Sequence, residues 1–398
     1  MDAVTRRSDA AADPRRPDVM FGSPRRSLRG WGAAVTVEVS APWVDHLDVV
    51  NAALAAISHT SELGDVAGSG PVAFAALPFD RNGAATFIVP ALVHGTTTEG
   101  TRWTTSIDGA VAAEFAPTGD ADAATAQRMT IASPTGVDEW CDLVSAATKR
   151  IAAGDLDKVV LARELVITAD ADFDPHELAE RLSAAHPHAY RFDISGFVGA
   201  TPELLVSRFG DVVRAHPMAG TTPRSGDHDA DARHAAELLH SHKNRAEHQI
   251  TIDMVLDTLL GWSSFVDAEP TPSVVAAGSV QHLATMVEGR LSDPPPSVLE
   301  LVAALHPTPA VGGFPRAEAL ALIAEIEPGD RGRYAGPVGW VDASGNGAWA
   351  VGLRSVSVDG PVARLFAGVG VVADSDPMSE WRETQAKFAA TLGSVTRL

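Results

Sequence analysis

The apolar positions of this chain come mostly in short runs rich in Val, Ile, Leu and Phe, the length and composition of strands. Such runs occupy 33–40, 71–79, 85–93, 158–168, 191–201, 204–218, 347–358 and 362–372. Between them the apolar spacing widens to the three-and-four rhythm of helices, at 138–153, 175–185, 229–260, 297–305, 316–325 and 377–391. Asp376 and Pro377 supply an N-cap and a first-turn proline for the last of these. Turn residues in "SRFGDVV" and "DASGNGAW" predict hairpins, and strands do not alternate strictly with helices. The pattern predicts an α+β fold with large, mostly antiparallel sheets.

Composition narrows the function classes. The 398 residues are 45% hydrophobic and 21% charged, with a formal net charge of −20. That charge disfavours nucleic acid and anionic membrane surfaces as partners, so an anionic ligand must meet local cations or a metal. No run approaches the 18–20 apolar residues of a membrane span. Cys141, the single cysteine, excludes an internal disulfide and fits a reducing, cytoplasmic setting. Residues 1–17 carry arginines without an apolar stretch and are expected to form a disordered tail ahead of one domain, 18–398.

Several clusters could carry chemistry. Lys158 opens the strand "KVVLARELVIT", where it is either an ordinary solvated lysine or a desolvated amine able to act as a base. Glu203 in "GATPELLVSR" follows a Gly/Thr/Pro turn and precedes an apolar strand, so it is either an edge glutamate or a buried acid. Asn244, Glu247 and Thr251 share one helical face, as do Glu380, Glu383 and Lys387. Glutamates from two distant helices that face one point would suit Mg²⁺. Arg354, among apolar neighbours, is placed either for a bidentate grip on a carboxylate or for a structural ion pair. The spacing of His234, His240, His242 and His248 matches no zinc signature. Gly368, Gly370 and Ala373 spell GxGxxA, yet too little chain follows for the βαβ unit of about 30 residues that a dinucleotide needs.

Taken together, "KVVLARE", "GATPELLVSR", "HPMAGTTPR", "KNRAEHQITID", "QHLAT", "LHPTPAVGGFP", "RGRYAGPVGW", "VGLRSV" and "LFAGVGVVADSDPMSEWRET" resemble the chorismate-utilising enzymes. The resemblance runs from about residue 137 to the C-terminus. It implies a single large domain of two stacked, mostly antiparallel sheets with helices outside, acting on chorismate with Mg²⁺. By resemblance, Glu247 and Glu383 are direct metal ligands, with Glu380 nearby through water. Arg354, Tyr334 and the amides near Gly368 and Gly370 hold the enolpyruvyl carboxylate. Gly220, Thr221 and His282 line the ring, and Lys387 stands by the metal-bound carboxylate.

Branch residues favour the isochorismate synthases. Lys158 resembles the base that activates water, where anthranilate synthases carry glutamine. Ala219 stands where aminodeoxychorismate synthases have a lysine nucleophile. Ala310 replaces the usual threonine of salicylate synthases, and Asn244 departs from the glutamate of that branch. The implied reaction has Lys158 activate water for attack at C2 while Glu203 protonates the departing C4 hydroxyl. The product would feed siderophore or menaquinone biosynthesis. A monomer without a glutaminase subunit is expected. Salicylate synthase, a non-catalytic chorismate-binding relative and a dinucleotide oxidoreductase are the rival readings.

Overall fold

The computed structural model describes residues 1–8, 16–110 and 128–396, the side chain of residue 390 excepted. A sheet of thirteen strands and one of nine carry the fold, and a third sheet of three strands joins them. The two large sheets stack: Phe21, Leu28, Phe192 and Phe197 of the first share a buried cluster with Phe74, Val338 and Trp340 of the second. Alternation along each strand sends these side chains to one face, where they exclude water. Helix Val137–Ala152 adds Trp140, Val144 and Ile151 to a second cluster that includes Leu161 and Val369. No helix among the described residues is long and apolar enough to cross a membrane.

The expected α+β architecture is observed, with corrections that matter for function. The run 347–358 is not one strand. Gly347–Val351 belongs to the nine-stranded sheet and Ser355–Asp359 to the thirteen-stranded one, and the chain crosses between them at Gly352–Arg354. Arg354 takes a left-handed conformation there, φ 49°, unusual for a bulky residue. Phe197–Thr201 and Leu204–Phe209 cross between the same sheets at Pro202 and Glu203. The run 204–218 turns at Gly210 as its hairpin signal predicts, and its end enters the third sheet as Met218–Pro223. The helical span 229–260 divides into His228–His240 and His242–Leu260, because Ser241 is extended and its hydroxyl accepts from the Asn244 amide at 3.3 Å.

The disordered tail is also corrected. Asp2–Arg7 is a strand paired with Arg102–Ile107 and Ser58–Ser61. Ala3 and Thr5 point inward, and the Thr5 hydroxyl donates to the Ser69 carbonyl. A small and a polar residue at the buried positions hide the alternation from a hydropathy reading. Residues 9–15 lie outside the described residues. The helix Asp48–Ala55 and the strands Val19–Gly22 and Arg26–Trp31 were likewise not expected from the sequence.

This N-terminal half braces the other. Arg81 donates to the carbonyl of Ala303 at 2.7 Å, and buried His306 lies with Nε2 2.9 Å from the Phe79 carbonyl. Both contacts fix the end of helix Val298–Leu305, from which the chain runs into the segment containing Ala310.

Candidate active site

A cavity of about 250 Å³ forms where the crossover at Pro202 and Glu203 and the strands 218–223 and 362–371 meet the helices His242–Leu260 and Pro377–Thr396. Glu203, Glu247, Glu380 and Glu383 all line it. So do Gly220, Thr221, His282 and Ala310 on one side, and Tyr334, Arg354, Gly368, Gly370 and Lys387 on another. Of the residues that the resemblance assigns to the site, Lys158 alone is absent from the lining; Thr251, of the face shared with Asn244 and Glu247, is absent too.

Lys158 is 1% exposed, with Nζ 2.8 Å from Glu247 Oε1. The contact is a close ion pair between two enclosed side chains. Burial works against the charged form of Glu247, but Lys158, then Lys387 and Lys243, hold its carboxyl below the usual range. Gly370 makes the approach possible. A Cβ there would lie 2.7 Å from Glu247 Oε1 and 3.0 Å from Lys158 Cε. The glycine thus makes room for two side chains, which is a different use from the amide cradle that its motif brings to mind.

Glu203, 3% exposed, sits at its crossover with the Met218 amide close to its carboxyl. Burial pushes its pKa up to about 8, against the smaller opposing pulls of that amide and Lys158. Glu380 is also displaced upward, to about 7, by burial and then by the charge of Glu383. Glu383 pairs with Lys387 at 2.7 Å, and Lys387 Nζ donates to the Gly368 carbonyl at 2.8 Å. The helix carrying these groups starts at the expected cap, Asp376 Oδ1 accepting from the Ser379 amide at 2.8 Å. Arg163 locks its rotation: the guanidinium lies 3.6 Å from the Trp381 ring centroid, and Nε donates to Thr384 Oγ1 at 2.7 Å.

The three-stranded sheet supplies the opposite wall. His282 Nδ1 lies 3.2 Å from both Thr221 Oγ1 and the Gly220 carbonyl. Burial, then Arg354 and Lys387, push its pKa down to about 3, so the ring is neutral. Asn244 Oδ1 accepts from the Thr221 amide at 3.3 Å. Arg354 donates to the Lys387 carbonyl at 3.3 Å, and Tyr334 stacks on Phe366 with centroids 5.3 Å apart.

Sequence reasoning missed Arg331, Lys243 and Phe366, which also line the cavity. Lys243 stands four residues before Glu247 and Arg331 four after Glu327, a spacing that could have flagged both. No three His, Cys, Asp or Glu side chains among the described residues converge on a metal position. The acidic donors facing the cavity are all carboxylates, a set that suits a hard cation and not zinc.

A buried acid, a buried amine paired to a carboxylate, and flanking cations in one closed site define an enzyme acting on a small anionic molecule. The chain belongs to the family described as chorismate binding enzyme, which matches residues 16–396. It is 36% identical over 354 residues to isochorismate synthase MenF of Bacillus subtilis, covering 82% of this chain and 75% of that one. To isochorismate synthase DhbC of the same organism it is 37% identical over 338 residues, covering 82% and 81%. The solved structure of MenF, the menaquinone-specific isochorismate synthase from Escherichia coli, shares the fold, with TM-score 0.82, 22% identity and coverage of 99% and 94%.

Proposed function

We propose that this protein is an isochorismate synthase, converting chorismate to isochorismate by exchanging a hydroxyl at C4 for one at C2. The observation that carries the reading is the buried pair of opposite character: Glu203, with a pKa near 8, and Lys158, enclosed beside Glu247. Lys158 acts as the base that takes a proton from water as its oxygen adds to C2, the ring double bonds shift, and protonated Glu203 gives its proton to the departing C4 hydroxyl. One water enters and one leaves, so no redox cofactor is needed.

Arg354 and Tyr334 hold the enolpyruvyl carboxylate, with the amides near Gly368 and Gly370. Lys387 stands by the ring carboxylate, and Gly220, Thr221 and neutral His282 border the ring. Glu247 and Glu383 would hold Mg²⁺ directly, with Glu380 close by. When bound it would offset the charge between substrate carboxylate and protein carboxylates. Lys158, Ala219 and Ala310 favour this branch over amination at C2 or loss of pyruvate. Incubation with chorismate and Mg²⁺, followed by separation of products, tests the assignment. Isochorismate alone is expected; salicylate with pyruvate would replace it by a salicylate synthase.

A further inference from the structure

The strand Lys158–Ala169 has a gap along one edge. Gly313 and Phe314 pair with it at Val159 and Lys158, and Met129–Ala132 pairs with Val166–Ala169. Between them, past the Val160 amide, which donates to the Gly312 carbonyl at 2.9 Å, no strand among the described residues completes the ladder on that side. Unpaired peptide groups there would be buried orphans. The gap is closed by a side-chain pair: Glu327 Oε1 accepts from the Ala162 amide at 2.7 Å, and Arg331 Nη2 donates to the Val160 carbonyl at 2.6 Å. The two residues bind each other through Arg331 Nε to Glu327 Oε2 at 2.8 Å and Nη2 to Oε1 at 2.5 Å. They are only 2% and 4% exposed. Arg331 Nη1 also donates to the Val311 carbonyl at 2.9 Å, and its guanidinium lies 4.2 Å from the Phe79 ring centroid.

We propose that Glu327 and Arg331 form a positioning pair for the reaction, standing in for a missing strand so that Lys158 and Ala310 are held at fixed places around the substrate. This deepens the isochorismate synthase reading and rests on it. A buried ion pair is weak evidence for stability, because an apolar replacement often serves as well. Its value here is geometric. One guanidinium fixes two backbone carbonyls from different segments, two residues past Lys158 and one past Ala310, which an apolar pair could not do. Glu327 does not line the cavity, so any effect of changing it on turnover must pass through the groups it holds.

The test compares Glu327→Gln and Arg331→Lys, both near in volume to the originals. Each is expected to lower kcat at least tenfold with KM changed less than threefold, at temperatures where circular dichroism shows the fold intact. Amide hydrogen exchange should speed up at 160–162 and 310–312 and not at 74–76. Near-wild-type kcat in both variants would overturn the proposal. So would a loss confined to Arg331→Lys, which would make Arg331 a direct substrate contact. Should either fail to fold, Glu327→Asp, which keeps the charge one methylene shorter, decides by the same kcat and exchange criteria. A wild-type protein that leaves chorismate unchanged defeats the functional reading instead, and the exchange pattern still tests the brace.

Discussion

Glu203 and Arg354 occupy neighbouring crossovers that are tied to each other through the backbone. The Val351 amide donates to the Glu203 carbonyl at 3.1 Å, and the Ala200 amide donates to the Arg354 carbonyl at 3.3 Å. Two strands leave one sheet for the other side by side, and each presents a functional group at the point of departure. The proposed general acid and the proposed carboxylate-binding guanidinium are therefore fixed relative to each other by the packing of the sheets, with no loop between them to move.

The raised pKa of Glu203 gives a signed expectation. Its carboxyl goes from an ordinary 4.5 to about 8 on burial. The folded state holds the proton more tightly, so the stabilising contribution is complete below pH 4.5 and is lost progressively as pH rises to about 8. Glu203→Gln, which cannot ionise, should melt higher than wild type by a margin that grows from pH 5 to pH 8 and then levels off. The same substitution should lower kcat by at least about a hundredfold, the usual scale for a lost general acid. In the wild type, kcat/KM should fall above pH 8 as Glu203 deprotonates. Melting curves and pH-rate profiles on the two proteins settle this, and a pH-independent difference in melting would refute it.

The pair of Lys158 and Glu247 predicts an asymmetric response. Removing the acid in Glu247→Gln leaves an enclosed cation, on a side chain 1% exposed, without its counter-charge. Breaking a buried pair from one side typically costs about 3–5 kcal/mol. Replacing the cation in Lys158→Met should cost less, because Glu247 is 17% exposed and can turn to solvent. Both should abolish turnover. Urea denaturation of the two single variants and the double variant gives the coupling directly, and equal destabilisation by each would show that the pair is not held as described.

Much of this was legible in the sequence, and the reasons for the remainder are physical. Helix faces bring Glu247, Glu380, Glu383 and Lys387 to one cavity because 3.6-residue periodicity is local. Glu203 was recognisable from its turn-then-strand setting. The break at Arg354 was not, since a crossover between sheets looks like continuous β-pattern until the partners of each half are known, and the break at Ser241 lies inside an uninterrupted helical pattern. The partners of Arg163 and of the pair of Glu327 and Arg331 were invisible for a similar reason: they are a ring more than 200 residues away and backbone groups of other segments, although the spacing of Glu327 and Arg331 marks the pair itself. The strand Asp2–Arg7 was misread because Thr5, buried and hydrogen-bonded, carries no hydropathy signal.

That strand makes its own prediction. The Thr5 hydroxyl lies 2.8 Å from Thr105 Oγ1 and 3.0 Å from His59 Nε2, besides donating to the Ser69 carbonyl. Thr5→Val keeps the shape and removes every one of these contacts, so that the buried Ser69 carbonyl loses the Thr5 donor. A loss of roughly 1–3 kcal/mol is expected, with kcat per folded molecule unchanged because the strand is remote from the cavity. Thermal denaturation alongside active-site titration would check both halves of that statement.

Gly370 and Gly368 separate two uses of a small residue. At Gly370 an added methyl would stand 2.7 Å from Glu247 Oε1 and 3.0 Å from Lys158 Cε, both on side chains able to move. Gly370→Ala should therefore fold with little loss of stability, yet displace the pair of Lys158 and Glu247, the proposed base and metal ligand. At Gly368 the nearest atoms are Tyr334 Oη and Val160 Cγ1, each at 3.3 Å, tight but without overlap. Gly368→Ala should accordingly keep a substantial part of wild-type turnover, with a weaker grip on the carboxylate seen as a raised KM. Gly370→Ala should instead lose kcat by about a hundredfold or more and bind Mg²⁺ less tightly by calorimetry. If the two alanine variants proved equally active, the glycines would be serving backbone conformation alone, and the room made for Glu247 and Lys158 would not be their function.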